Sequence, residues 1–101
     1  MLTDDEILTL RATVIGGKRW PDDYTVIWRT LPIGRIMLAP GLPPHVPQWR
    51  WTCNFYGKPG GGGSGSGDDL DDCKRQFREA WATLRADLTD ADIALARQMQ
   101  R

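Results

Sequence analysis

Histidine is all but missing from this chain of 101 residues: His45 stands alone. A single imidazole in a stretch crowded with proline supports neither a Ser/His/Asp constellation nor a Cys–His pair, because nothing nearby orients the ring. Cysteine is nearly as scarce. Cys53 and Cys73 do not combine with His45 in the spacing of a zinc site. No apolar run approaches the ~18 residues of a membrane span. The opening Met-Leu-Thr-Asp-Asp-Glu lacks the basic and apolar segments of a secretion signal. The expected compartment is therefore a reducing cytoplasm, with no membrane and with both thiols free. Net charge is zero, which removes a global argument for nucleic acid.

Charge is nonetheless uneven. Asp4, Asp5 and Glu6 stand near the start without a base, whereas residues 11–58 hold seven bases against Asp22 and Asp23. The length suits one domain over 1–101. A core in a chain this small is modest, but five tryptophans supply large rings for it.

The organising stretch is Trp49 to Tyr56. Trp49, Trp51, Cys53 and Phe55 alternate with Arg50, Thr52, Asn54 and Tyr56, the period of a half-buried strand. Two further strands precede it. Tyr24, Val26 and Trp28 alternate with Thr25, Ile27 and Arg29; Gly34, Ile36 and Leu38 alternate with Ile33, Arg35 and Met37. The short connection between these two favours a hairpin, and the sheet is expected over 24–56. Four prolines between residues 40 and 47 make a stiff loop.

Helices are expected on both sides of the sheet. Thr3-Asp4-Asp5-Glu6 has the form of a capping box, and Ile7, Leu10, Arg11 and Val14 continue at helical spacing, so a short helix is expected over 4–13, ended by Gly16-Gly17, although Thr13-Val14-Ile15 also suits a strand. Residues 57–67 hold seven glycines and predict a flexible, dispensable connector. Helices follow over 68–100. In the first, Leu70, Cys73, Phe77, Ala80, Trp81, Leu84 and Leu88 share one face, which is expected to pack on the Trp49/Trp51 face of the sheet. Thr89-Asp90-Ala91-Asp92 starts the second. The fold expected is α+β: a three-stranded antiparallel sheet, a long helix on one face and short flanking helices at both termini.

No motif carries catalysis. The glycine-rich stretch lacks the Gly-Lys-Ser/Thr ending that grips phosphate, and Asp68, Asp69, Asp71 and Asp72 at the following helix start would repel an anion. The same aspartates lack the register of a calcium loop and serve as caps. The chain is thus expected to be no enzyme and to use no cofactor and no metal.

The interest lies on the outer sheet face. The alternation places Ile27, Arg29, Ile33, Arg35, Met37, Arg50 and Tyr56 there, a mixture typical of protein interfaces. The expected function is a non-catalytic interaction module that binds a protein partner or itself, most simply as a homodimer. The alternative is a nucleic-acid-binding module using the same basic face.

Four segments, Tyr24-Thr25-Val26-Ile27-Trp28, Gly34-Arg35-Ile36, Trp49-Arg50-Trp51 and Phe77-Arg78-Glu79-Ala80-Trp81, span roughly residues 22–86. In them the chain resembles a group of short uncharacterised bacterial proteins. That resemblance implies no activity and no catalytic residue. The strand-strand-strand-helix order is similar to small DNA-binding domains such as the arm-binding domains of phage-type integrases, a likeness of fold that does not fix function.

Overall fold

Glycine, not a large side chain, forms the edge of the sheet next to the organising strand. The computed structural model describes residues 7–55 and 62–99. Its strands are β1 (Thr9–Ile15), β2 (Lys18–Trp28), β3 (Leu31–Leu38), β4 (Trp49–Cys53) and β5 (Gly63–Gly67), and each pairs antiparallel with the next. Helices α1 (Leu70–Asp87) and α2 (Asp90–Met99) follow. The class is α+β with an antiparallel sheet, as expected, but the sheet has five strands rather than three.

The first added strand replaces the expected N-terminal helix. Thr9 onward is extended, and the capping box at residues 3–6 lies outside the described residues. Gly16 and Gly17 have φ of 60° and 79°, so together they close a two-residue turn rather than merely stopping a helix. That turn folds β1 onto β2 with Leu10 opposite Val26 and Arg11 opposite Thr25. Thr13, Val14 and Ile15 are β-branched and suit the strand. Val14 and Ile15 pair with Arg19 and Lys18 of β2, whereas an isolated three-turn helix is only marginally stable.

The second added strand lies in the expected flexible connector. Trp49 pairs with Gly67, Trp51 with Gly65 and Cys53 with Gly63. A Cβ on Gly65 would stand 2.7 Å from Trp51 Nε1, and one on Gly67 would stand 2.9 Å from Cys73 Sγ. The glycines leave room for the indole and for the first turn of α1. Only residues 57–61 of the connector remain outside the described residues.

A bulge in β3 changes which side chains face inward. Val26 pairs with Gly34 but Ile27 with Pro32, leaving Ile33 as the extra residue. Leu31 and Ile33 therefore join Ile36 in the core, and Ile33 is fully buried rather than on the outer face. A Cβ on Gly34 would overlap the Thr52 carbonyl and the Phe77 ring, so the strand bends where α1 comes closest.

Helix α1 packs on the inner face over β3, β4 and β5. Asp69 caps it, accepting from the Asp72 backbone N–H at 2.7 Å. Its apolar stripe, Cys73, Phe77, Trp81 and Leu84, is buried. Trp81 meets Trp28 at a centroid distance of 5.1 Å and Phe55 at 6.0 Å. Thr89 and Asp92 cap α2 reciprocally at 3.1 and 3.0 Å. Ile93 and Ala96 complete the core.

Candidate functional site

Helix α1 covers one face of the sheet over β3, β4 and β5, and the opposite, outer face is without a helix among the described residues. Rows of cross-strand neighbours define it. Arg11, Thr25, Arg35, Thr52 and Ser64 form one row; Asp23, Met37, Arg50 and Ser66 form the next. Hydroxyls and guanidinium groups dominate.

The expected interface residues are dispersed by this geometry. Arg35, Met37 and Arg50 share the outer face, with Arg35 and Arg50 exposed and Met37 half-buried. Ile27 shares it too but is only 8% exposed, set between Thr9 and Pro32. Arg29 sits in the β2–β3 turn with its guanidinium 4.4 Å from the centre of the Trp28 ring. Ile33 is in the core. Tyr56 lies outside the described residues. With Ile33 and Ile27 buried, Met37 is the apolar contribution of the described members of this set to the open face.

Asp23 is the residue that pattern reading missed. It is buried on the outer face and accepts from Arg35 Nε at 2.8 Å and from the Thr13 hydroxyl at 2.9 Å; Arg35 Nη2 grips its second oxygen. The Arg35 hydrogen bonds hold its carboxyl below the usual carboxylate range, against the opposing effect of burial. The network ties β1, β2 and β3 together, and it commits the Arg35 charge within the fold. Between Ala12 and Val14 the register with β2 shifts past Trp20, Pro21, Asp22 and Asp23. Pro21 in such an irregularity was the available signal.

Beyond that irregularity the β1–β2 hairpin carries apolar side chains into solvent. Val14 is 61% exposed, Ile15 55% and Trp20 44%. Lys18 Nζ lies 5.0 Å from the centre of the Trp20 ring. The β-branched run Thr13-Val14-Ile15 beside Gly16-Gly17 is the sequence signal for this strand.

On the inner face, α1 leaves an open cleft of about 400 Å³ beside β1. Leu8, Leu10, Val26, Ile36 and Phe77 line it, and Lys74 and Arg78 form one wall.

Cys53 and Cys73 are free and buried. Burial lifts the Cys53 thiol to about 11 and also raises that of Cys73, with Asp72 and Asp69 adding to the second shift. Among the described residues no group of three or more His, Cys, Asp or Glu is placed to hold a metal, and no helix is long and apolar enough to cross a membrane. No protein-family model matches the chain, and no curated protein or solved structure matches it.

Proposed function

We propose that this chain is a non-catalytic interaction module that pairs with a second copy of itself through the β1 edge and the β1–β2 hairpin. The observation that carries this reading is the exposed trio Val14, Ile15 and Trp20 at the tip of an edge hairpin. Edge strands left open invite pairing unless charge, proline or bulges blunt them. β1 has one charged residue, Arg11, and no proline. The opposite edge, β5, is glycine and serine and runs into Asp68 and Asp69. A two-fold pairing of β1 with β1 would satisfy both backbones with one self-complementary contact. Free, buried thiols suit a cytoplasmic setting. Light scattering after size exclusion at about 100 μM tests the reading, since a dimer depends on protomer concentration. A dimer mass is expected; a monomer mass overturns it.

One observation favours a second reading, nucleic-acid binding. The outer face presents Arg11 and Arg50 among Thr25, Thr52, Ser64 and Ser66, groups that contact phosphate. Retention on a DNA column that falls steeply with salt would favour it over the first.

A further inference from the structure

The inner cleft follows from a mismatch of widths. Strands lie about 4.8 Å apart, so five span roughly 19 Å, whereas one helix covers only about 10–12 Å. Helix α1 sits over β3, β4 and β5. Its Gln76 flank reaches β4 and β5, where it bonds Trp51 and Ser66. Its other flank, Lys74 and Arg78, faces the inner side of β1 across the cleft. Leu8 and Leu10 stay half-buried for want of a cover, above a floor of Val26, Ile36 and Phe77.

Among the described residues the wall is cationic and weakly compensated. Lys74 Nζ is 3.8 Å from an oxygen of Asp71, whose side chain is 91% exposed. The nearby acids Asp72 and Glu79 are engaged by Arg75. No ion pair involves Arg78 among the described residues. A volume of about 400 Å³ falls in the range of small-ligand pockets. Apolar floor and paired cations define a ligand with an aliphatic body and one anionic end. Arg78 offers the planar fork that a carboxylate matches.

We propose that the cleft between β1 and α1 binds an amphipathic monocarboxylate, its chain on Leu8 and Leu10 and its carboxylate on Lys74 and Arg78. The proposal is independent of self-association, because the cleft opens on the inner face while pairing uses the strand edge.

The probes are decanoate and its uncharged counterpart 1-decanol, titrated into the intact protein and followed by amide shifts in ¹H–¹⁵N spectra. Decanoate is expected to move the amides of Leu8, Leu10, Lys74 and Phe77 saturably and to bind more tightly than decanol. The double variant Lys74→Gln/Arg78→Gln, both on the helix surface, should weaken decanoate by about tenfold while changing decanol by less than about twofold. Absence of saturation by about 1 mM decanoate overturns the proposal. So do shifts centred on the outer-face residues Thr25 and Thr52, or equal affinity for acid and alcohol. The comparison of acid with alcohol in the unaltered protein decides the matter even if the double variant fails to fold.

Discussion

Trp51 Nε1 donates to Gln76 Oε1 across 2.8 Å, and the same Gln76 side chain donates from Nε2 to the Ser66 carbonyl at 2.9 Å. One amide thus fastens α1 to two strands, and one of those strands has no side chain larger than serine. Gln76→Leu keeps the volume but leaves an indole N–H and a backbone carbonyl without their partner. The expected cost is ~1–3 kcal/mol, since the penalty of an unpaired polar group exceeds the net worth of its bond. Urea unfolding at unchanged slope measures it; a loss under about 0.5 kcal/mol would mean that water replaces the amide without penalty.

The two glycines beneath the Trp51 ring are not equivalent. A Cβ on Gly65 would meet the indole at 2.7 Å, whereas one on Gly63 would meet it at 3.9 Å, an ordinary contact. Gly65→Ala should destabilise by ~1–3 kcal/mol through overpacking. Gly63→Ala should be neutral or stabilise by ~0.4–1 kcal/mol, because it restricts the unfolded chain. Thermal melts of the two variants moving in the same direction would contradict the position of β5.

These glycines also explain what the sequence left unread. The alternation of Trp49, Trp51 and Cys53, and the helical stripe of Cys73, Phe77 and Trp81, are legible because large residues mark the buried side directly. Gly63–Gly67 has no such mark: a strand whose inward positions are glycine shows no hydrophobic period, and its role depends on a ring contributed by another strand. β1 was ambiguous for a different reason. Leu10 and Val14 fit a helical period and sit beside a capping box, while the strand is decided by a turn partner that local spacing does not see. Ile33 was assigned to the wrong face because a bulge inverts strict alternation, and nothing local announces it. The candidate site suffered most, since its membership depended on that alternation.

Asp23 gives the fold an acid-sensitive joint. Its folded-state value lies below the ordinary one, with the Arg35 hydrogen bonds as the largest cause. A depressed carboxyl contributes stability above the unfolded value near ~3.9 and loses it as pH falls through the folded value. Asp23→Asn should cost ~1–3 kcal/mol at neutral pH, the scale of charged hydrogen bonds. The gap between variant and parent should narrow in urea melts as pH falls below the unfolded value near ~3.9 and through the lower folded value. A gap independent of pH would assign the loss to packing instead.

Cys53 sets the opposite limit. Its thiol, raised by burial to about 11, stays protonated in the fold well above the ordinary value near ~8.5. A thiol held protonated in this way makes the fold lose stability as pH climbs from about 8.5 through the folded value. At pH 8 the native protein should resist alkylation at both Cys53 and Cys73, and both should label in denaturing urea. Rapid labelling of either native thiol, read by mass spectrometry, would show that the core opens locally.

The hairpin tip offers the sharpest test of self-association. Val14 and Ile15 are among the most exposed large apolar side chains described, so replacing both by Asp removes little packing and should cost the protomer less than about 1 kcal/mol. Two carboxylates at a dry contact would find no partner across it, and leaving them there is expensive. Val14→Asp/Ile15→Asp is therefore expected to shift the species from dimer to monomer in light scattering, with far-UV circular dichroism unchanged. Met37→Asp provides the contrast. Met37 lies on the outer face opposite Asp23 and Arg50, away from the tip, and its replacement should leave the dimer intact. If Met37→Asp dissolves the dimer and the tip variant does not, the contact belongs to the outer face. If neither does, the pairing runs through the backbone of the β1 edge rather than through side chains.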